Sequence, residues 1–101
     1  MSEPAAVEPP QGMLWLSRIE VPRHPVLRAT WTDGRTMDVD FTEVIARSKW
    51  FATLTFPEAF RDVEIIFGGS GVQWASNADF CAQALRRLAE EQAGLREKEG
   101  A

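Results

Sequence analysis

Few side chains in this sequence could take part in catalysis, and they form no recognisable catalytic motif. His24 is the single histidine and Cys81 the single cysteine. His24 stands between Pro22 and Pro25, which predicts a surface turn with no nucleophile beside it. Cys81 falls on the apolar stripe of a predicted helix, where a thiol behaves as a small hydrophobic group. The sequence therefore favours structural roles for both residues.

Three carboxylates lie close together in the middle of the chain. Asp38 and Asp40 are two residues apart on a predicted strand, so they point to one face, and Glu43 follows. Such oxygens can bind a divalent cation, and a metal-dependent enzyme is one hypothesis. The alternative, which we favour, is a solvated strand face on which Asp38 pairs with Arg28. With no fourth ligand evident, the sequence predicts no metal site and no cofactor.

The glycine-rich segment Gly68-Gly69-Ser70-Gly71 resembles a phosphate-binding loop only superficially. Such a loop needs a Lys followed by Ser or Thr, at the start of a helix. Here the glycines are followed by Val72-Gln73-Trp74, which is typical of a strand. The segment is therefore predicted to be a hairpin turn.

The charge distribution disfavours a general nucleic-acid binder. The net charge is -4, and residues 13–87 carry nine basic and nine acidic side chains. Binding to DNA or RNA normally depends on an excess of Lys and Arg that releases counterions from the phosphates. A local arginine patch remains an alternative, and it would contain Arg18, Arg23, Arg28, Arg35 and Arg47.

The register of the first hairpin can be predicted from polarity. Residues 26–32 and 35–41 flank the turn sequence Asp33-Gly34. A three-residue loop would pair Leu27 with Val39 and Arg28 with Asp38, which separates apolar from charged side chains. It would also place Gly34 in the left-handed position of a type I turn with a G1 bulge.

The remaining patterns complete an α+β domain. A first strand is predicted over 14–21, and it must be either covered on both faces or bulged. We further predict a short helix over 43–49 capped by Thr42, a turn over 57–62 anchored by Phe60, strands over 63–67 and 72–74, and a helix over about 78–93 capped by Ser76 or Asn77. The fold is thus a small, mostly antiparallel sheet of about five strands, with a C-terminal helix packed on it.

The chain is predicted to contain one domain, over residues 13–93. Residues 1–12 are rich in Pro, Ala and Glu and are predicted to be a disordered leader, and 94–101 a frayed acidic tail. No apolar run is long enough for a membrane span, and no secretion signal opens the chain. The lone cysteine fits a reducing compartment, so we expect a cytoplasmic protein.

Two features suggest a surface for a protein partner or a second copy of the chain. The first strand has apolar residues of both parities, Leu14, Trp15 and Leu16, and an apolar edge strand can pair with another chain. Leu95 continues a heptad-like spacing beyond the predicted core of the last helix. These four residues are the predicted partner surface.

The order of these patterns resembles a known bacterial family. The matching segments are Leu27–Gly34 (LRATWTDG), Asp38–Phe41 (DVDF), Trp50–Leu54 (WFATL), Phe56–Phe60 (FPEAF), Val72–Trp74 (VQW) and Ala78–Phe80 (ADF). Together they are similar to domain of unknown function 2442, over about residues 14–88. The resemblance implies a small α+β domain, often encoded beside a second small protein in pairs that look like toxin–antitoxin modules. It implies no catalytic residue.

These observations lead to three hypotheses about function. The first is a non-enzymatic protein-interaction domain, such as the antitoxin-like member of a two-gene module. The second is a nucleic-acid-associated transcriptional regulator that uses the arginine patch. The third and least favoured is the metal-dependent enzyme with Asp38, Asp40 and Glu43.

Overall fold

Six strands form two antiparallel sheets of three strands each in the computed structural model, which describes residues 14–100 and the side chains of 14–94. The first sheet has the order β1-β2-β3, and its strands are Leu16–Arg23, Val26–Trp31 and Thr36–Asp40. The second has the order β4-β5-β6, and its strands are Val63–Ile66, Gly71–Trp74 and Asp79–Cys81. The predicted α+β class is confirmed, with six strands rather than about five.

Helices and short 3-10 turns connect and cover these sheets. The helices are α1, Thr42–Arg47; α2, Pro57–Arg61; and α3, Ala82–Gly100. The 3-10 segments are Lys49–Thr55 and Phe67–Gly69. No helix within the described part of the chain is long and apolar enough to cross a membrane. The predicted leader, residues 1–12, lies outside the described residues, and α3 continues without a break through Gly94.

The first sheet has the register predicted from polarity. Leu27 pairs with Val39 and Arg28 with Asp38. Gly34 has a φ of +87°, and its N–H donates to the Trp31 carbonyl at 2.9 Å, as the predicted turn requires. Irregularities in the β1 register, one of them after Leu16, show that this strand is bulged, which was one of the two predicted arrangements.

The second sheet contains a strand where a helix was predicted. Residues 79–81 pair with β5, and α3 begins at Ala82, so the predicted start near 78 is wrong. Asn77, predicted as a helix cap, has a φ of +74° and turns the chain between β5 and β6. Its N–H donates to the Trp74 carbonyl at 2.8 Å, as Gly34 does to Trp31. Because Asn favours both helix caps and left-handed turns, its presence alone could not separate the two.

A single aromatic core joins the two sheets. Trp31, Trp74, Phe41 and Phe60 are almost fully buried. The Trp31 Nε1–H donates to the Ala82 carbonyl at 3.1 Å, and the Trp74 Nε1–H donates to the Phe60 carbonyl at 2.8 Å. These bonds satisfy the indole donors without water, and each one ties a sheet to a helix. Phe60 anchors α2, as predicted.

The later start of α3 also rotates its buried face. Among the described side chains of the helix, the buried ones are Ala82, Leu85, Arg86 and Ala89. Of the apolar stripe predicted from the sequence, Leu85 is buried, Cys81 is exposed, and three residues are half-buried: Phe80, Ala84 and Leu88. The Arg86 guanidinium is held by the Asp33 carboxylate at 3.0 Å and by Glu90 at 2.8 Å, and it lies 5.2 Å from the Trp31 ring centroid. The hydrogen bond from Arg86 keeps the pKa of the Asp33 carboxyl below its usual value.

Gly69 allows the second sheet to approach β1 closely. It has a φ of +120°, and a β-carbon at this position would lie 2.5 Å from the Leu16 carbonyl oxygen. β4 and β5 pair as antiparallel neighbours across this segment, which confirms the predicted hairpin turn over 68–71. Its second glycine is required by contact as well as by conformation.

Candidate interaction surface

His24 has a structural position between the first sheet and the 3-10 segment. It is half-buried, and its Nε2–H donates to the Leu54 carbonyl at 2.8 Å. Its ring meets the Phe60 ring edge-on, with 5.4 Å between centroids. The predicted turn location is right, but the side chain packs inward instead of lying on the surface.

Cys81 is exposed, so its prediction as a core residue is wrong. The reason is the position of the helix start, because Cys81 is the last residue of β6 and not part of α3. Its Sγ accepts the Ala84 N–H at 3.4 Å, which places a weak acceptor at the first turn of α3.

The three carboxylates of the metal hypothesis have separate protein partners. Asp38 accepts two hydrogen bonds from Arg28, at 2.8 and 3.2 Å, which is the predicted ion pair. Asp40 accepts the backbone N–H of Thr42 at 2.8 Å, and Glu43 pairs with Arg47 at 3.6 Å. The predicted capping by Thr42 is wrong, since the Asp40 carboxylate accepts this N–H and Thr42 itself begins α1. Within the described residues, no group of three or more His, Cys, Asp or Glu side chains is placed to hold a metal ion.

Three of the four residues of the predicted partner surface make contacts within the chain. Leu16 is 3% exposed and belongs to the core, so it cannot contact a partner in this fold. Leu14 and Trp15 are half-buried. The Leu14 carbonyl accepts from Gln83 Nε2 at 3.1 Å, and the Trp15 carbonyl accepts from the Thr32 N–H at 2.8 Å. The side chain of Leu95 lies outside the described residues.

Three other aromatic residues are exposed instead. Trp50 is 79% exposed, Phe67 81% and Phe56 63%. Phe67 has the same parity as Val63 and Ile65 of β4, so strand alternation alone would place it in the core. The adjacent pair Trp50-Phe51 was the available signal, because two neighbouring aromatics rarely face the same core. Phe51 packs on Trp74, with 6.0 Å between ring centroids, and leaves Trp50 outside.

Phe67 is unusual in conformation as well as in exposure. Its φ is +49°, in the left-handed region that a bulky residue seldom adopts. Such a backbone costs about 1–3 kcal/mol, and an exposed ring returns little of it through burial. Because neither its backbone conformation nor its exposed ring stabilises the fold, Phe67 is a candidate for a role in recognition.

Trp50 and Phe67 line two separate depressions that both include residues of strand β6. A depression of about 350 Å³ is lined by Trp50, Phe51 and Asp79, together with Asn77 and Ala78. A second depression, of about 180 Å³, is lined by Phe67, Asp79, Phe80 and Cys81, together with Ile66, Ser70 and Gly71. Asp79 borders both. We call Trp50, Phe67, Asp79, Phe80 and Cys81 the β6-edge surface.

The outer faces of the two sheets differ in charge. On the first sheet, Arg18 pairs with Glu20 at 3.1 Å, and the Asp38 hydrogen bond raises the pKa of Arg28. These pairs neutralise that face. On the second sheet, Glu64, Gln73 and Asp79 are cross-strand neighbours in one row. This row carries two carboxylates and no basic side chain, so it is acidic up to the β6 edge.

Fold and surface together define a small α+β domain with an aromatic and acidic sheet edge. The family described as "Protein of unknown function (DUF2442)" matches residues 20–91, which is more than half of the chain. The chain therefore belongs to this family, as its sequence patterns suggested. No curated protein matches it at a significant level.

A solved structure shares the fold. It comes from Nitrosomonas europaea ATCC 19718 and is described as that of a "Putative DNA Binding Protein". The two chains are 31% identical, with a TM-score of 0.72 over 81% of the present chain. The match covers 52% of the other protein, so the present chain spans about half of its length.

Proposed function

We propose that this chain is a non-enzymatic protein-interaction domain that recognises its partner with the β6-edge surface. The observation that carries the proposal is the exposure of Trp50 and Phe67, at 79% and 81%, in two depressions that both border Asp79 of β6. Exposed aromatic side chains grouped beside polar ones mark binding sites, since Trp and Phe contribute strongly to interface energies.

The chemistry of the candidate catalytic residues supports this proposal. His24 donates to a backbone carbonyl and packs on Phe60. Asp38 is engaged by Arg28. The family resemblance supports a partner encoded beside this chain, and hence an antitoxin-like role in a two-gene module. We place this role in the cytoplasm, which the lone cysteine favours.

Affinity purification from an extract of the native host tests the proposal. The tagged wild-type chain should retain a protein in stoichiometric amount. A variant with Trp50→Ser and Phe67→Asn should lose it, whereas Phe56→Ser, which removes an exposed aromatic that lines neither depression, should keep it. Recovery of the same proteins by all three chains, or of none by the wild type, would contradict the proposal.

A second candidate is a nucleic-acid-associated regulator, which is favoured by the description of the Nitrosomonas europaea protein. Against it, three of the five arginines in the predicted patch are paired with carboxylates: Arg18 with Glu20, Arg28 with Asp38 and Arg47 with Glu43. Filter binding at two salt concentrations separates the two functions. A regulator bound through phosphates would lose affinity steeply as salt rises, and the interaction domain should show no such binding.

A further inference from the structure

The β6 edge offers backbone groups suited to another strand. In an antiparallel pair, alternate residues point their N–H and C=O groups toward the neighbouring strand. The Ala78 carbonyl accepts the N–H of Trp74 in β5, and the Ala82 N–H donates to the carbonyl of Ser70, just before β5, at 2.8 Å each. The N–H groups of Asp79 and Cys81 and the Asp79 carbonyl therefore point away from β5, along the open side of β6.

Another sheet edge in the molecule is already covered. On β3, the Asp40 N–H donates to Gln92 Oε1 and the Asp40 carbonyl accepts from Gln92 Nε2, both at 2.9 Å. The side-chain amide of Gln92 thus imitates one residue of a neighbouring strand. Among residues 14–94, no side chain makes such a pair of bonds to Asp79 of β6. The β6 edge remains available to a strand from outside.

The side chains around β6 indicate what that strand would carry. Trp50 and Phe67 offer apolar contact in the two depressions that Asp79 borders. Asp79 also ends the acidic row through Glu64 and Gln73. An incoming strand would extend this row by one position, and a Lys or Arg there would complement the carboxylate.

We propose that the β6 edge binds an extended segment of a partner protein as a fourth strand, with a basic residue opposite Asp79 and apolar residues against Trp50 and Phe67. This inference rests on the proposed function and names the chemistry of the partner. A second copy of the chain fits less well, because its own β6 sequence, Asp79-Phe80-Cys81, supplies no basic side chain. Main-chain bonds would give affinity, and the two depressions would give specificity.

Selection from a displayed library of random peptides tests the inference with a defined probe. The peptides should be about ten residues long, which is the upper length of ordinary strands. The enriched peptides should alternate apolar and polar positions and contain Lys or Arg. The most enriched one, made synthetically, should slow hydrogen exchange at the Asp79 and Cys81 amides. Asp79→Lys should weaken its binding about tenfold or more, and Phe67→Asn should weaken it as well.

Glu58→Lys is the matched control, since it makes the same charge change at an exposed position on α2. It should leave the affinity nearly unchanged. The inference is overturned if the wild type enriches no more peptides than the Trp50→Ser, Phe67→Asn double variant. It is also overturned if the peptide protects amides elsewhere and not those of β6, or if it binds Asp79→Lys as tightly as the wild type. Self-association that Asp79→Lys abolishes would also overturn it. Failure here, with a host protein still retained through Trp50 and Phe67, would leave the proposed function standing.

Discussion

The two sheets use the same hairpin turn but present different outer surfaces. In each, a buried Trp ends a strand and is followed by a three-residue loop whose last residue has a positive φ, Gly34 in one and Asn77 in the other. The first sheet neutralises its outer face with Arg–carboxylate pairs, and Gln92 covers its β3 edge. The second keeps an acidic row and exposed aromatics beside an open edge.

This difference indicates that the two sheets contribute differently to stability and to binding. The strands of the first sheet have eight, six and five residues, whereas those of the second have four, four and three. The longer sheet forms more internal pairs and leaves little unsatisfied. The shorter sheet keeps features that add no stability to the isolated chain, which is where a binding surface is expected.

Gly69, between β4 and β5, and Gly34, between β2 and β3, provide the largest test of the comparison. Gly69→Ala should destabilise the chain by about 3 kcal/mol, because it combines an unfavourable φ with a clash against the β1 backbone. Gly34→Ala should cost about 1 kcal/mol, since a β-carbon there meets nothing within 4 Å and only the backbone is strained. Denaturant unfolding of both variants measures the difference, and equal losses would contradict the close approach at Gly69.

The equivalence of the two turns can be tested at Asn77. Asn77→Val should lower the free energy of unfolding by about 1–2 kcal/mol, because a β-branched residue fits the left-handed region poorly. Asn77→Gly should be tolerated, as glycine is at position 34. Both follow from thermal or denaturant melts. Asn77→Ser separates the turn from a helix cap, because Ser replaces Asn well at a cap but fits the left-handed region poorly, so unchanged stability of Asn77→Ser would contradict the turn.

The ion pair between Asp33 of the first turn and Arg86 of α3 should make the stability of the fold sensitive to acid. Asp33 has a pKa below its unfolded value of about 3.9, so its carboxylate stabilises the fold above that pH. This contribution is lost as pH falls through the lower, folded pKa. Stability should therefore drop more steeply in the wild type than in Asp33→Asn below about pH 4. If the melting temperatures of the wild type and Asp33→Asn fell in parallel as pH is lowered, the contact between Asp33 and Arg86 would contribute no acid sensitivity.

The smallest predicted effect on stability is a gain instead of a loss. Phe67→Asn should leave stability unchanged or raise it by up to about 1 kcal/mol, since Asn tolerates the left-handed backbone and the lost ring is 81% exposed. The same change should weaken partner binding. A clear loss of stability in denaturant melts would mean that Phe67 supports the fold instead of a binding surface.

The sequence predicted the first sheet better than the second for a physical reason. Polarity alone sets the pairing of Arg28 with Asp38 and of Leu27 with Val39, and Gly34 has few alternatives. The second hairpin turns at Asn77, a residue equally suited to begin a helix. Because of that ambiguity, the predicted start of α3 is too early, and Cys81 is wrongly predicted to be buried.

The candidate surface was harder to predict than the fold. A small domain needs large side chains in its core, and four aromatic residues lie there: Trp31, Trp74, Phe41 and Phe60. Exposure of Trp50 and Phe67 depends on the 3-10 turns that carry them, and short turns leave no periodic pattern in a sequence.

Amide hydrogen exchange of the chain, free and bound to the protein it retains from host extract, tests the central claim most directly. The account predicts slower exchange at the Asp79 and Cys81 amides on binding, with little change at the outer edge of β1. Protection confined to the first sheet, with the β6 amides unaffected, would contradict it.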